Sequence, residues 1–316
     1  MRILVTGANG FIGRNLVPQL IKSGHEVVAS YRNDDFRQFD TQIYPISDLG
    51  PDTDWSKALI KVETVIHLAA RVHVMTDKAK NLISDNKRIN TEGTRKLAKD
   101  AAAAGVRHFI FMSTIKVNGE SSDLKAFCYD DLPAPKDPYA TAKLEAEKAL
   151  TQVVRSSNMS ATIIRSPLVY GPGVKGNFIS LIKICMRGWP LPFGGVKNRR
   201  SIIYVGNLVD LIQRVINKPP SSTKIYLCRD PQDVSTPELI RKTCTALGVK
   251  PLIIFFPLSV LHFIAILTGK KATISRLTES LYVDDSPTRV DLDWTPPFSM
   301  LKGLKETATW FDTQKH

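Results

Sequence analysis

The 316-residue sequence is 43% hydrophobic and 23% charged, which excludes a disordered or low-complexity protein and predicts one large or two closely joined domains. The formal net charge of +13 comes from basic residues spread along the chain, without an interleaved basic and aromatic stripe, so a nucleic-acid-binding protein is not expected. This charge favours polyanionic small molecules as partners.

The first two thirds of the chain alternate short β-branched runs with longer helical patterns, as expected of a parallel sheet covered by helices. The predicted strands are residues 2–6, 26–30, 42–46, 64–69, 108–113 and 161–165. The predicted helices are residues 11–23, 53–61, 81–104 and 138–157. The pattern predicts an α/β fold with a doubly wound parallel sheet of the Rossmann type and a smaller C-terminal α/β domain for the substrate.

Proline and glycine accumulate after residue 166, which predicts a change of domain. We expect a nucleotide-binding domain from residues 1–166 plus about 201–230, and a substrate domain from about 167–200 plus 231–316. The apolar run 252–267 is shorter than the roughly 20 residues of a spanning helix. We predict a buried helix there rather than a membrane-surface helix, and no stable membrane insertion.

The spacing of the cysteines and the sequence of the first residues help to predict the cellular compartment. The spacing of Cys128, Cys185, Cys228 and Cys244 fits neither a metal site nor a disulfide framework, so we expect reduced core thiols. A glycine motif follows the first strand at once, without the regions of a signal peptide. A cytoplasmic protein is therefore expected.

The glycine motif Gly7, Gly10 and Gly13 lies directly after the first predicted strand and opens the first predicted helix. Glycines let the turn tighten and let the backbone approach a pyrophosphate, which then binds the free N–H groups of the helix start. The motif in this context predicts dinucleotide binding.

The end of the second strand predicts which dinucleotide binds, because an acidic residue there holds the ribose hydroxyls of NAD. The strand ends instead in Tyr31 and Arg32, and a guanidinium suits the 2′-phosphate of NADP. NADP(H) is therefore the preferred cofactor, with NAD(H) possible because Asp34 and Asp35 follow closely. Asp48, after the third strand, is either an adenine contact or a turn residue.

Tyr139 and Lys143 lie four residues apart at the start of a predicted helix and therefore share one face. A nearby cation favours the phenolate, which would let Tyr139 act as an acid/base near neutral pH. The hydroxyl pair Ser113 and Thr114 at the end of a predicted strand makes this pattern more specific. His67, in a continuously apolar strand, is interpreted as a buried core residue rather than a catalyst.

The motifs resemble those of the extended short-chain dehydrogenase/reductases, within them the UDP-sugar 4-epimerase-like group of the NAD-dependent epimerase/dehydratase family. The resemblance rests on Thr6-Gly7-x-x-Gly10-x-x-Gly13, His67-Leu68-Ala69-Ala70, Asn90-x-x-Gly93-Thr94, Phe111-x-Ser113-Thr114, Tyr139-x-x-x-Lys143, Pro167-x-Val169-Tyr170-Gly171-Pro172 and Arg200-x-x-x-Tyr204-Val205. It covers nearly the whole chain.

The resemblance implies roles for individual residues. Tyr139 would be the acid/base, Thr114 with Ser113 would hold the substrate oxygen, and Lys143 would bind the nicotinamide ribose. The implied cofactor contacts are Gly7, Asn9, Gly10, Phe11, Ile12, Gly13, Tyr31, Arg32, Asp48, Leu49, Leu68, Ala69, Ala70, Asn90, Ser113, Tyr139, Lys143 and Pro167. The implied UDP-sugar contacts are Thr114, Tyr139, Asn177, Arg200 and Arg276. Relatives also pair two helices of each subunit into a four-helix dimer contact, so a homodimer is expected.

Departures from the family pattern guide the choice of reaction. Ile115 and Lys116 replace the Asp-Glu pair of the 4,6-dehydratases, so a dehydratase is not expected. Tyr31 and Arg32 depart from the 4-epimerase pattern, which favours an NAD(P)H-dependent reductase. Residues 113–120 and 198–201 resemble a bacterial subgroup of the family linked to surface polysaccharide (O-antigen or capsule) synthesis, which includes reductases that make UDP-N-acetylquinovosamine. This resemblance implies a reductase acting at carbon 4 of a UDP-4-keto-6-deoxy-N-acetylhexosamine. The alternatives are a UDP-hexose or UDP-N-acetylhexosamine 4-epimerase with bound NAD and a non-catalytic NADP-binding sensor of the same fold.

Overall fold

Nine strands form two sheets in the computed structural model, which describes residues 1–32, 40–71, 79–122, 125–269 and 271–314. The strands are β1 (Arg2–Thr6), β2 (Glu26–Tyr31), β3 (Gln42–Pro45), β4 (Thr64–His67), β5 (His108–Thr114), β6 (Ser160–Ser166), β7 (Leu168–Tyr170), β8 (Ile202–Tyr204) and β9 (Thr223–Leu227). Seven of them make one parallel sheet in the order β3-β2-β1-β4-β5-β6-β9, and β7 pairs with β8 in a second sheet.

Eleven α-helices are present in the described residues. They are α1 (Phe11–Lys22), α2 (Ala79–Asn86), α3 (Gly93–Ala103), α4 (Pro138–Arg155), α5 (Asn177–Arg187), α6 (Val205–Asn217), α7 (Thr236–Ala246), α8 (Leu258–Leu267), α9 (Lys271–Thr278), α10 (Ser286–Leu292) and α11 (Met300–Thr313). A π-helical segment, Lys87–Glu92, joins α2 to α3. The predicted helix 81–104 is therefore one interrupted helix.

Both faces of the large sheet are covered, as the apolar strands require. Ile3 and Val5 pack on one face in a cluster with residues of α1 and α6. Leu4 and Val65 pack on the other face in a cluster with residues of α3 and α4. Alternate residues of one strand thus enter different cores, which is why the buried parallel strands read as continuous apolar runs. The predicted doubly wound α/β class is confirmed.

The last strand of the large sheet comes from late in the chain. β9 pairs in parallel with β6, and α6, just before it, packs against α1. The two-stranded sheet β7–β8 and the helices α5 and α7 to α11 lie beyond the carboxyl end of β6 in sequence. The chain therefore leaves the large sheet after Ser166 and returns to it at Thr223.

The predicted helix at residues 53–61 is wrong. The segment forms turns, with one helix-like bond from Leu59 N to Trp55 O at 3.0 Å. Lys61 has a φ of +58°, a left-handed conformation that a helix cannot continue through. Trp55 and Leu59 are both buried, so the turns already place the apolar side chains in the core.

The apolar run 252–267 is not the predicted buried helix. Its helical part, α8, begins only at Leu258, and the exposed fractions of Phe263 and Leu267 are 61% and 71%. Of the α8 side chains that the structure describes, Leu261 and Ala265 are buried. The helix is apolar on nearly every side, but it packs on its neighbour α9 along only one edge. Among the described residues, no helix has the length and apolarity to cross a membrane.

Candidate active site

The glycine loop between β1 and α1 is held so tightly that side chains are excluded from it. A Cβ atom on Gly7, whose φ is +69°, would lie 2.7 Å from the backbone nitrogen of Ala69. A Cβ atom on Gly13 would lie 2.5 Å from the carbonyl oxygens of Gly7 and Ala8. Gly10 is the N-cap and has no side chain to bond the first N–H groups of α1. This loop fits the pyrophosphate of a dinucleotide, because uncapped N–H groups and a bare backbone face the same space.

The other expected residues of this loop lie around it. Asn9, Phe11 and Ile12 are partly buried at the start of α1. Leu68, Ala69 and Ala70 follow β4 and are also partly buried. Pro167 is buried directly after β6. The carboxyl ends of β1, β4 and β6 therefore line one edge of the sheet, where ligands of such folds bind.

His67 belongs to a buried network below the loop. Its Nδ1 lies 2.6 Å from Thr6 Oγ1, and its Nε2 lies 3.0 Å from Thr94 Oγ1. Burial lowers the pKa of His67 to about 3, with Lys143 as a smaller cause in the same direction. The ring is thus neutral, and the interpretation of His67 as a core residue is confirmed.

Asn90 organises the backbone beside the cofactor loop. Its Oδ1 accepts from Arg71 N at 2.8 Å, and its Nδ2 donates to Arg71 O at 3.0 Å and to Asn86 Oδ1 at 2.9 Å. These bonds occupy the amide, so Asn90 orients the segment after β4 rather than presenting its side chain to a ligand.

The end of β2 places Arg32 in solvent and Tyr31 in the core, where its exposed fraction is 2%. Asp34 and Asp35 lie outside the described residues. Asp48 pairs with Arg88 at 2.6 Å and accepts from the backbone nitrogen of Leu49, as a turn residue does. Leu49 itself is buried.

The two residues that precede Tyr139 stabilise the start of α4. Asp137 is the N-cap and accepts from Ala140 N at 2.7 Å, while Pro138 occupies the first turn. Lys116 Nζ binds Asp137 Oδ2 at 2.6 Å. The position where dehydratases of the family carry an acid thus holds a cation that supports the helix cap.

Lys143 is buried one turn after Tyr139. Its Nζ donates to Met112 O at 2.7 Å and lies 4.2 Å from the centre of the Phe111 ring. Burial lowers the pKa of Lys143 to about 7, opposed by Glu147. Burial also raises the pKa of Tyr139 to about 12, and Asp137 adds to this rise. The expectation of a near-neutral pKa for Tyr139 is therefore wrong for this structure, since burial of the phenol and the charge of Asp137 both disfavour the phenolate.

The two hydroxyls at the end of β5 point to different partners. Ser113 is buried, and its Oγ donates to Glu147 Oε1. Thr114 is partly buried, and its Oγ1 accepts from Lys116 N at 3.3 Å. Ser113 is thus engaged with Glu147, whereas the Thr114 hydroxyl accepts only from the backbone among the described contacts.

Glu147 and Arg165 were missed in the sequence. Glu147 continues the helical face of Tyr139 and Lys143, and its carboxylate binds Arg165 Nη2 at 2.8 Å with both side chains almost fully buried. Arg165 Nη1 also donates to Asn118 Oδ1 at 3.0 Å. The network joins α4, β5 and β6. The four-residue spacing from Lys143 to Glu147 indicates that Glu147 shares the helical face of Lys143, but it gives no signal for the pairing with Arg165.

The expected substrate residues lie on several elements. Arg200 is partly buried, and its Nη1 donates to Arg276 O at 2.7 Å and to Glu279 O at 3.2 Å. Burial lowers the pKa of Arg200, opposed by Glu279. Arg276 is exposed in the last turn of α9, and Asn177 is the exposed first residue of α5. The structure thus joins Arg200 to the backbone of Arg276 and places Asn177 on a separate helix.

Known proteins resemble the chain over nearly its full length. UDP-glucose 4-epimerase of Vibrio cholerae is 40% identical over 311 residues, which cover 98% of this chain and 95% of that protein. N-acetyl-alpha-D-glucosaminyl-diphospho-ditrans,octacis-undecaprenol 4-epimerase of Escherichia coli O157:H7 is 26% identical over 326 residues, covering 98% and 94%.

A solved structure, MoeE5 in complex with UDP-glucuronic acid and NAD, superposes with a TM-score of 0.80 at 25% identity and covers 99% of this chain and 100% of that one. The model of the family described as NAD dependent epimerase/dehydratase matches residues 3–228, more than half of the chain. The chain therefore belongs to the NAD dependent epimerase/dehydratase family.

Proposed function

We propose that this protein is a UDP-sugar 4-epimerase that uses bound NAD. The observation that carries the proposal is the 40% identity to the Vibrio cholerae UDP-glucose 4-epimerase over 98% of the chain. The reductase, preferred on the sequence alone, becomes the second candidate. The sensor is disfavoured because Thr114, Tyr139 and Lys143 are all present at the edge of the sheet where ligands bind.

Three residues have separate roles in epimerisation at carbon 4. Bound NAD would supply a reversible hydride acceptor for carbon 4, so that the hydride can return to the opposite face of the sugar. Tyr139 takes the proton of the 4-hydroxyl and gives it back, and Thr114 holds the same oxygen by a hydrogen bond. Lys143 binds the nicotinamide ribose. No net oxidation results, because hydride and proton both return.

The position of the proton on Tyr139 matters for this cycle. With a pKa of about 12, the phenol is neutral at physiological pH, so it begins as an acid rather than a base. Oxidised nicotinamide carries a positive charge, and an opposite charge nearby favours a phenolate. We infer that cofactor binding turns Tyr139 into the base that the first proton transfer needs.

The test is epimerisation without an added reductant. Purified protein is incubated with UDP-glucose, with UDP-N-acetylglucosamine, or with N-acetylglucosamine on undecaprenyl diphosphate, the last because of the Escherichia coli relative. We expect the 4-epimer of at least one of these sugars to form, with no net change in nicotinamide absorbance. If none is epimerised even with added NAD, the proposal is wrong.

The second candidate is the NADPH-dependent reductase. The exposed Arg32 at the end of β2 supports this candidate, since a guanidinium at that position would suit a 2′-phosphate. With a UDP-4-keto-6-deoxy-N-acetylhexosamine, a reductase consumes NADPH mole for mole with the substrate. Such consumption, together with no epimer from a 4-hydroxy sugar, would replace the first proposal by the second.

We also propose a homodimer through α3 and α4. The two helices pack side by side on one face of the sheet, and a surface groove between them is lined by Arg95, Lys99, Ala149 and Gln152. The same helices of a second copy would complete a four-helix contact. Light scattering should give twice the monomer mass of 35.2 kDa. A mass equal to that of the monomer at micromolar concentration would contradict the dimer.

A further inference from the structure

An exposed apolar surface lies on the second part of the chain, outside the candidate active site. We call it the α8 surface; it comprises Trp189, Phe255, Val260, Phe263, Ile266 and Leu267, with exposed fractions of 63%, 77%, 43%, 61%, 59% and 71%. Isolated apolar residues on a surface are ordinary, but a contiguous group of this kind marks an interaction site.

Backbone hydrogen bonds join the two chain segments that carry Trp189 and Phe255. Leu191 N donates to Leu252 O at 2.8 Å, and Ile254 N donates to Leu191 O at 3.0 Å. Gly194 N also donates to Ile254 O at 2.9 Å. The loop that carries Trp189 is thus fixed beside the segment that carries Phe255, and α8 follows that segment directly.

Helix α8 has almost no polar face that could be exposed to solvent. All its residues are apolar except Ser259 and His262, and His262 Nε2 lies 3.0 Å from Thr278 Oγ1 of α9. Leu261 and Ala265 are the buried residues among its described side chains. A helix that is apolar all round is normally buried in a core or in lipid, whereas here Val260, Phe263, Ile266 and Leu267 are exposed.

The chain around the surface is basic and free of acids. Residues 250–278 contain Lys250, Lys270, Lys271 and Arg276 but no Asp or Glu. Residues 171–200, which carry Trp189, contain six basic residues and again no Asp or Glu. Lys250 and Lys271, on either side of α8, are exposed. This charge complements an anionic partner.

We propose that the α8 surface docks on the face of a phospholipid bilayer that contains anionic headgroups. Exposed Trp and Phe side chains beside lysines are the composition of a helix that lies in the interface plane. The apolar side chains enter the boundary between headgroups and acyl chains, and the lysines pair with the lipid phosphates. α8 is too short to cross the bilayer, which leaves the chain bound on one side.

The docked surface is close in sequence to the expected substrate residues. α9 follows α8, and the carbonyl of Arg276 at its end accepts from Arg200. Docking would therefore bring the side of the molecule that carries Arg200 towards the lipid. The inference does not depend on whether the chain epimerises or reduces its substrate.

The test measures binding to vesicles by flotation. The full chain is mixed with vesicles of phosphatidylcholine alone or of phosphatidylcholine with about one third phosphatidylglycerol, at low and high salt. We expect binding to the anionic vesicles to exceed binding to the neutral ones by at least about tenfold, and to weaken with salt. The variant Phe255→Glu/Phe263→Glu should lose at least about tenfold of this binding.

A matched control changes two exposed apolar residues elsewhere. Leu132 and Val290 have exposed fractions of 90% and 82%, and Leu132→Glu/Val290→Glu should bind the vesicles like the unchanged chain. Circular dichroism of both double variants, and their turnover of a water-soluble UDP-sugar, should match the unchanged chain, which separates lost docking from lost folding.

Three results would overturn the proposal. One is a chain that stays unbound with both kinds of vesicle. Another is equal vesicle binding by the chain and by Phe255→Glu/Phe263→Glu. The third is a change of oligomeric mass in that variant without any vesicle binding by the original chain, which would assign the α8 surface to contact between copies.

Discussion

Tyr139 and Lys143 share one face of α4, and burial shifts their pKa values in opposite directions, each in favour of the neutral form. The pKa of Lys143 is lowered to about 7 and that of Tyr139 is raised to about 12. Between pH values of about 7 and about 12 both side chains are therefore neutral, and the pair adds no charge beside a bound nicotinamide. The positive charge that favours a Tyr139 phenolate must then be supplied by the bound cofactor.

The first prediction concerns the acid/base itself. Tyr139→Phe removes the hydroxyl that exchanges the substrate proton, so turnover should fall by about a hundredfold or more. Cofactor binding and the circular dichroism spectrum should be unchanged, because the ring remains. Initial rates with the best UDP-sugar measure the effect, with Tyr129→Phe as the control. Activity within a few fold of the unchanged chain would exclude Tyr139 as the proton donor.

The second prediction concerns cofactor choice. If Arg32 pairs with a 2′-phosphate, Arg32→Ala should weaken NADPH binding by roughly tenfold to a hundredfold and leave NADH binding almost unchanged. Arg155→Ala, at an exposed site on α4, serves as the control. Fluorescence titration with NADPH and with NADH measures the dissociation constants of both variants. Equal losses for NADPH and NADH would remove the basis of the reductase candidate.

Two glycines in the connections between elements can be compared: Gly7, between β1 and α1, and Gly24, between α1 and β2. Gly7 and Gly24 have φ values of +69° and +77°, but a Cβ atom on Gly24 would meet nothing within 4 Å. Gly24→Ala should therefore cost about 1–2 kcal/mol of the free energy of unfolding, from backbone strain alone. Gly7→Ala adds a clash with the backbone of Ala69, so it should cost more and abolish cofactor binding. Denaturant unfolding and cofactor titration compare the two, and equal effects would mean that the loop is not closely packed.

The buried pair Glu147 and Arg165 connects α4 to β6. Glu147→Ala leaves a buried guanidinium without its partner and should lower the free energy of unfolding by about 3–5 kcal/mol. The control is Glu238→Ala, which removes a surface pair with Lys242 and should cost at most about 1 kcal/mol. Chemical denaturation measures both. Similar small losses would show that water or other groups satisfy Arg165.

How far the sequence predicts each element depends on the range of its interactions. The strands and the glycine turn follow from local pattern, because a parallel strand covered on both faces must be continuously apolar. The pairing of Glu147 with Arg165 cannot be predicted from local sequence, because it exists only when α4 and β6 are adjacent in the fold. The segment 53–61 has a helical pattern, yet the left-handed Lys61 and the burial of Trp55 favour turns.

For the whole molecule, composition indicates an anionic partner but not where it binds. The net charge of +13 is unevenly distributed, because no Asp or Glu occurs from residue 148 to residue 209. That stretch includes the expected sugar-nucleotide residues Asn177 and Arg200. The sequence could also not separate a buried apolar helix from an exposed one, since α8 has the same composition in both cases.

The position of β9 at the end of the large sheet has a consequence for how the protein is made. β6 is buried along its whole length, yet its outer neighbour, Thr223–Leu227, is translated more than fifty residues later. While the intervening residues emerge from the ribosome, β6 remains an unpaired apolar edge, the kind of edge that joins other chains. The nascent chain is therefore exposed to aggregation until the second part of the protein has been synthesised, and this interval is when a chaperone would be of most use to it.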